Sequence, residues 1–296
     1  MSTQLPALVA GLVDDAAVFP PGSASVPAAV IAHRQHRAAW YADLVGPLLL
    51  PATAVTAGEL DGLIDPAEGL AIGLIGDTGL DQLPFALSFL PPLGVSVRQI
   101  EAPVAKRGED PQPGLTELVK LTQRLETVPV YAEIPLTFGL TGALDALAEA
   151  RSRGLPIAAK FRTGGLAAEL FPSPAELAAV IRACRDREVP FKLTAGLHHA
   201  VRHVDPETGF THHGFGNVLA ATLAAAEGAG VDTIAELLTV RDERPLVQWT
   251  DGRRHAARPL WVGFGSCSIA EPLADLIRLG LVNSDDDHLT NGSDRA

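Results

Sequence analysis

Short apolar runs alternate with longer amphipathic stretches along almost the whole chain. The apolar runs have the length and composition of β-strands, and we predict strands at 11–18, 45–50, 70–75, 94–101, 129–135, 155–162, 190–196 and 260–265. The stretches between them are rich in Ala, Leu and Glu, and they predict helices near 26–41, 56–64, 78–88, 114–126, 140–153, 174–187 and 216–229. The pattern therefore predicts an α/β protein.

Strands that are separated by helices of this length pair in parallel, because the helix returns the chain to the start of the next strand. Eight such units favour closure into a (β/α)8 TIM barrel, which suits a chain of 296 residues. A doubly wound open sheet is the alternative. We expect one barrel domain over 1–282, followed by a disordered acidic tail at 283–296 that has almost nothing apolar to bury.

Two connections between the seventh and eighth predicted strands are too long for a plain helix. In 197–214, the turn residues at 205–209 predict a hairpin. In 246–257, Asp251-Gly252 with alternating flanks predicts a second one. We expect these hairpin insertions to cover that side of the barrel mouth or to make an oligomer contact.

Composition narrows the class of protein. The formal net charge is −12, which argues against a nucleic-acid binder or a reader of anionic membranes, since both need a basic face. No stretch approaches the length of apolar sequence that a membrane span needs, and the first residues lack the pattern of a secretion signal. Two cysteines make no disulfide framework and suit a reducing compartment, so we expect a cytoplasmic protein.

Four ionisable residues lie in or at the end of apolar predicted strands at nearly equal intervals. Glu101, Glu133, Lys160 and Lys192 are 32, 27 and 32 residues apart, about one strand–helix unit each. Equivalent positions on successive barrel strands converge on one mouth, where barrel enzymes carry their chemistry. The alternative is a structural ring of salt bridges. Asp14 and Asp15 precede a Pro-rich turn, and we select Asp15 as a fifth catalytic candidate; a turn-stabilising aspartate is the alternative.

The two lysines suggest imine chemistry. A lysine is protonated at neutral pH and cannot attack a carbonyl, but a second cation and burial both lower its pKa. Lys160 and Lys192 on adjacent strands are placed to do this to one another, and a nearby carboxylate can then relay protons. Arg162 has the same strand parity as Lys160, so we expect it to bind a substrate carboxylate or to neutralise Glu133.

The last strand ends in a Gly- and Ser-rich turn before a predicted helix. Gly265, Ser266 and Ser268 predict an anion site at the start of that helix, and Thr194 and Gly196 on the neighbouring strand supply its other half. A plain helix cap is the alternative.

Five of the nine histidines cluster in 198–213. We expect His198 to help bind an anion, and we expect no metal or other cofactor. If a metal binds, its ligands are His199, His203 and His212, because His203 and His212 face one another across the predicted hairpin. Anion binding with Arg202 and a solvated hairpin are the alternatives.

The order of these motifs resembles that of the deoxyribose-phosphate aldolase type of class I aldolases. LVDDAAVFPP at 12–21 is similar to the family's first-strand D-x-T-L-x-x-P, and QIEAPV at 99–104 to its E-I-D-x-V. KFRTG at 160–164 and FKLTAG at 191–196 are similar to its two lysine motifs, and FGSCS at 264–268 to its phosphate-binding F-G-A-S-S. The resemblance implies that Lys160 is the nucleophile, Lys192 the residue that lowers its pKa, and Glu101 the proton shuttle.

We therefore expect an aldolase-like lyase that forms a lysine Schiff base with a small carbonyl substrate carrying a phosphate or a carboxylate. Glu101 or Glu133 would move protons. One alternative is a metal-dependent hydrolase or isomerase that uses the histidine hairpin. The other is a barrel that binds a small anion without catalysis. The expected partners are a small anionic substrate and, through the insertions, further copies of the chain.

Overall fold

The computed structural model describes residues 5–91 and 93–283. Its strands are β1 (Val13–Asp15), β2 (Val45–Pro51), β3 (Leu70–Ile75), β4 (Val95–Pro103), β5 (Val130–Glu133), β6 (Ile157–Arg162), β7 (Phe191–Thr194), β8 (His203–Val204), β9 (Thr211–His212) and β10 (Trp261–Ser266). Eight of them pair in parallel and close a barrel in the order β1-β10-β7-β6-β5-β4-β3-β2. The predicted (β/α)8 barrel is confirmed.

Helices cover the outside of the barrel. They are α1 (Val26–Ala38), α2 (Ala52–Thr56), α3 (Leu83–Ser88), α4 (Gln112–Leu125), α5 (Leu140–Ser152), α6 (Pro174–Asp186), α7 (Phe215–Ala226), α8 (Val231–Thr239), α9 (Glu243–Thr250) and α10 (Ala270–Arg278). None of the helices in the described ranges is long and apolar enough to cross a bilayer. The tail expected at 283–296 lies outside the described residues from position 284 onwards.

The connection between β7 and β10 differs in part from the expectation. The hairpin predicted in 197–214 is confirmed as β8 and β9, which pair antiparallel with His203 opposite His212. The hairpin predicted in 246–257 is wrong, because α9 continues through that stretch to Thr250. The Asp242 side chain caps that helix by accepting from the Arg244 N–H, and Gly252, with a φ of 74°, follows the helix in a turn.

The helical layer over β7 and β10 is thicker than the sequence predicted. Every residue of α7 from Phe215 to Ala225 is buried, because α6, α8 and α9 pack around it. A helix that is apolar on all sides is stable only inside such a layer. Helix α8 was not predicted, and the helix expected at 56–64 is wrong, because α2 ends at Thr56 and turns follow it. These differences lie outside the barrel and leave its mouth in place.

Candidate active site

The register of the barrel brings the ionisable strand residues together. Lys160 lies directly opposite Lys192 across β6 and β7, and it lies opposite Glu133 across β5 and β6. Residues paired in this way point to the same side of a sheet. The expected convergence of Glu101, Glu133, Lys160 and Lys192 is therefore observed.

Glu101 joins the two lysines. Its Oε2 atom lies 2.7 Å from Lys160 Nζ, and its Oε1 atom lies 2.7 Å from Lys192 Nζ. Lys160 also contacts Glu133 Oε2 at 2.8 Å, and Lys192 also contacts Asp14. Each ammonium group therefore has two carboxylate partners and shares one of them with the other.

The cluster pairs three carboxylates with three cations, and its two lysines are almost closed to solvent. Its carboxylates are Asp14, Glu101 and Glu133, and its cations are Lys160, Lys192 and Arg162. Both lysine side chains are at most 5% exposed. An unpaired buried charge costs several kcal/mol, so this pairing is what allows so many charges inside a barrel.

Two neutral residues complete the cluster, and the sequence reasoning missed both. Gln99 Nε2 donates to Asp14 at 2.7 Å and to Glu101 at 2.9 Å. Lys192 Nζ also lies 4.9 Å from the centre of the Tyr131 ring, within cation–π range. The available signal was strand alternation, because Gln99 lies two residues before Glu101 and Tyr131 two before Glu133 on their strands.

Glycines on neighbouring strands make room for the cluster. A Cβ atom on Gly46 would overlap with Asp14 Oδ1, and a Cβ atom on Gly73 would lie 2.9 Å from Gln99 Cγ. Neither position tolerates a side chain unless the cluster shifts. The glycines of β2 and β3 therefore leave the space that Asp14 on β1 and Gln99 on β4 occupy.

The electrostatics of the lysines differ from the expectation. We expected the two cations to lower one another's pKa. Burial does act in that direction, but Glu101 and Glu133 outweigh it and raise the pKa of Lys160, as Asp14 and Glu101 raise that of Lys192. The expected lowering is wrong for the resting site because Glu101 lies between the two amines. Both lysines are therefore ammonium ions at rest.

The two glutamates differ in how strongly they hold their charge. Burial alone would raise the pKa of Glu101, but Lys160 and Lys192 together lower it to about 2. Burial is likewise outweighed at Glu133, whose pKa Lys160 and Arg162 lower. Glu101 is fixed by two buried cations, whereas one of the cations of Glu133 lies at the protein surface. Glu133 is therefore the carboxylate whose basicity a ligand can change.

Asp15 is not part of the cluster. Its Oδ2 atom lies 3.0 Å from His33 Nδ1 on α1, and its Oδ1 atom accepts from the Ala17 N–H. The placement of Asp15 at the mouth is wrong, because successive strand residues face opposite sides and Asp14 takes the inward position. A strand of three residues with no polar–apolar alternation gave no signal for choosing between the two.

An open cleft lies over the Glu133 side of the cluster. It has a volume of about 160 Å3 and is lined by the last residues of β5 and β6 and by residues that follow β4, β5 and β6: Ala105, Arg107, Glu133, Ile134, Pro135, Leu136, Arg162, Glu169, Leu170, Pro172 and Glu176. Arg162 contacts Glu133 Oε1 through Nε at 3.3 Å and Nη2 at 3.2 Å, and 46% of its side chain is exposed. The expectation that Arg162 neutralises Glu133 is confirmed. Together the two side chains separate the cleft from Lys160.

The predicted anion site near α10 is occupied by the protein's own groups. The Ser266 hydroxyl accepts from the Ser268 N–H, and the Ser268 hydroxyl accepts from the Glu271 N–H. His198 Nδ1 lies 3.1 Å from the Glu271 carboxylate. These contacts favour the helix-cap interpretation. Of the other predicted members, Thr194 lies opposite Gly265 in the barrel, and the Gly196 carbonyl lies 3.2 Å from His212 Nδ1.

The hairpin histidines contact one another and the backbone. The rings of His203 and His212 are 5.3 Å apart, so their expected facing arrangement is confirmed, and the His199 ring lies 4.8 Å from that of His203. His203 Nδ1 contacts the Val201 carbonyl, as His212 Nδ1 does that of Gly196. Over residues 5–91 and 93–283, no group of three or more His, Cys, Asp or Glu side chains is placed to hold a metal ion.

Comparison of the chain with family models, with curated proteins and with solved structures finds no match in any of the three. The resemblance to deoxyribose-phosphate aldolases therefore depends on the motifs and their order alone. The geometry of the cluster and its cleft is the remaining evidence on function.

Proposed function

We propose that the protein is a carbon–carbon lyase of the class I aldolase type, in which Lys160 forms a Schiff base with a small carbonyl substrate. The observation that carries this proposal is the bridged pair of lysines, with Lys160 on the side of Glu133 and the open cleft. A ring of charges with a purely structural role would gain little, since apolar residues of similar volume are often as stabilising as a buried ion pair.

Each residue has a role that follows from its contacts. Lys160 is the nucleophile, because its second carboxylate lines the cleft, whereas Lys192 is enclosed by Asp14, Glu101 and Tyr131. Glu133 takes the proton that Lys160 has to lose. Lys192 keeps Glu101 ionised, so that Glu101 stays in place as an acceptor and steadies the cation that forms on the lysine nitrogen.

The imine makes the chemistry of a lyase accessible. A protonated imine withdraws electrons from the neighbouring carbon–carbon and carbon–hydrogen bonds, so one of them can break to leave an enamine. The enamine then takes a proton, and water releases the lysine. The water that is expelled when the imine forms balances the water that is consumed when it is hydrolysed, so no further co-reactant is needed.

Exchange of α-hydrogens with solvent tests the proposal without knowledge of the full substrate. Pyruvate and hydroxyacetone are incubated with the protein in D2O, and loss of the methyl and methylene proton signals is followed by NMR. We expect exchange well above the uncatalysed rate, abolished in Lys160→Met and retained in the matched surface variant Lys120→Met. Equal exchange in both variants would contradict the proposal. Pyruvate binding to the wild type without any exchange, and equally to Lys160→Met, would support the non-catalytic alternative.

A further inference from the structure

Lys160, which lies behind the cleft, and Arg162, which lines it, share one carboxylate. Lys160 Nζ contacts Glu133 Oε2, and the Arg162 guanidinium contacts Glu133 Oε1. The width of one carboxyl group therefore separates Lys160 Nζ, which attacks a carbonyl carbon, from the Arg162 guanidinium, which can bind an anion. A substrate that engages both must carry its anionic group next to its carbonyl carbon.

The geometry of the contact between Arg162 and Glu133 allows another carboxylate to replace Glu133. Its two N···O distances, 3.2 and 3.3 Å, are long for a charge-assisted pair, and both nitrogens meet the same oxygen instead of forming a bidentate fork. By contrast, Lys160 meets its carboxylates at 2.7 and 2.8 Å. An incoming carboxylate can therefore improve the geometry at Arg162 while leaving the contact between Glu133 and Lys160 intact.

The rest of the cleft suits a small acid. Arg107 adds a second exposed cation, and Ile134, Leu136 and Leu170 add apolar surface. Of the acidic lining residues, Glu176 is already engaged, because its carboxylate accepts from the Ser173 N–H at 2.7 Å. The volume of about 160 Å3 is below the range of about 300–1,000 Å3 that drug-sized ligands occupy. At the predicted anion site near α10, the Glu271 carboxylate already contacts His198, and its negative charge disfavours a phosphate there.

We propose that the substrate is a 2-oxo acid, and that its carboxylate displaces Glu133 from Arg162 and so makes Glu133 the base that deprotonates Lys160. This inference rests on the proposed function. It adds the class of substrate and the trigger, which is the displacement of Glu133 that lets Lys160 lose its proton. The displacement removes one cation from Glu133 and brings a second anion beside it. Both changes favour the protonated form of Glu133.

The steps balance within the site. A proton moves from Lys160 Nζ to Glu133 Oε2, and the nitrogen lone pair then forms a bond to the carbonyl carbon. The carbonyl oxygen receives the proton from Glu133 and becomes a hydroxyl, and the nitrogen returns a proton to Glu133. The hydroxyl takes that proton and leaves as water. In sum, an ammonium ion and a ketone become a protonated imine and water.

Reductive trapping separates acids from neutral ketones. The full chain is treated with cyanoborohydride and either pyruvate or methyl pyruvate, and labelling of each lysine is measured by peptide mass spectrometry. Lys106 and Lys120, the remaining lysines of the chain, are exposed and report the intrinsic reactivity of each compound. After this normalisation we expect Lys160 to react with the acid about tenfold faster or more, the effect of one charge-assisted hydrogen bond.

Two variants decide whether Arg162 is responsible. In Arg162→Gln we expect the preference for the acid to fall to about onefold, while labelling by the ester rises above the wild-type rate because Arg162 no longer lowers the basicity of Glu133. A purely structural role of Arg162 would lower both rates. The matched control Arg182→Gln, which breaks a surface ion pair with Asp186, should behave as the wild type.

The outcomes distinguish this inference from the proposed function. Labelling of Lys160 that is equal for acid and ester, or an acid preference that survives Arg162→Gln, overturns the substrate class and the trigger but leaves the imine in place. Absence of any label on Lys160 above the level of Lys106 and Lys120 overturns the proposed function and this inference with it.

Discussion

Replacing Glu101 with Gln tests whether this carboxylate holds the cluster together. Gln keeps the shape of the side chain but removes the charge that lies between Lys160 and Lys192. Each lysine keeps one other carboxylate, Glu133 or Asp14, so the variant should still fold. The expected effect is a loss of stability that depends on pH.

The magnitude follows from the pKa of Glu101. Because the two ammonium groups lower that pKa from 4.5 to about 2, ionised Glu101 contributes to folding about 3 kcal/mol at neutral pH. A carboxyl with a lowered folded-state pKa gives its full contribution above its unfolded-state pKa and loses it as the pH falls through the folded-state value. The contribution should therefore be nearly complete at pH 5 and should fall to about 1 kcal/mol at pH 3.

Urea unfolding followed by tryptophan fluorescence measures this difference, since Trp261 on β10 is fully buried. We expect Glu101→Gln to be less stable than the wild type by about 3 kcal/mol at pH 7 and by about 1 kcal/mol at pH 3. The matched control is Glu236→Gln at an exposed site, which should stay within about 0.5 kcal/mol. A difference under about 1 kcal/mol at pH 7, or one that is constant from pH 5 to pH 3, would refute the reasoning.

Three further predictions use the same stability assay. Lys192→Met should lower the free energy of unfolding by about 3–5 kcal/mol, because it leaves Asp14 and Glu101 without their shared cation. Adding Asp14→Asn should recover part of that loss. A loss under about 1 kcal/mol in Lys192→Met would contradict the buried pairing. Asp15→Asn should lower the free energy of unfolding by about 1 kcal/mol, because it weakens the contact with His33. The rate of reductive trapping at Lys160 should stay within about twofold of the wild type. A tenfold fall in that rate would show that Asp15 belongs to the site. Burial lowers the pKa of His213 to about 4, so the wild type should lose about 2 kcal/mol of stability between pH 7 and pH 4.5 as the unfolded chain takes up the proton. His213→Gln should reduce this loss. An equal loss of stability in the variant would show that His213 is not its source.

The barrel and the convergence of its charges could be predicted because both depend on periodicity. Strand and helix lengths repeat along the chain, and a residue that recurs once per unit at a strand end must reach the same mouth. Lys160, Lys192, Glu101 and Glu133 satisfy that condition, and the structure brings them within hydrogen-bond distance.

The details that the sequence could not provide depend on single side-chain positions. The direction of the lysine pKa shifts depends on Glu101 lying between the two amines, which strand spacing does not specify. The choice between Asp14 and Asp15 depends on the phase of a three-residue strand. At 246–257, Asp251-Gly252 does mark a turn, but this turn follows a helix. The Asp242 cap and the packing of Leu246 favour helix α9 over a hairpin strand at this place.

The most direct test of the account is the position of the covalent adduct after pyruvate and cyanoborohydride are added to the intact protein. The account predicts an N-(1-carboxyethyl) group on the peptide that contains Lys160, at a level far above that on the exposed lysines, and its loss in Lys160→Met. An adduct that is spread evenly over Lys106 and Lys120, or one that forms on Lys192 instead, would contradict it.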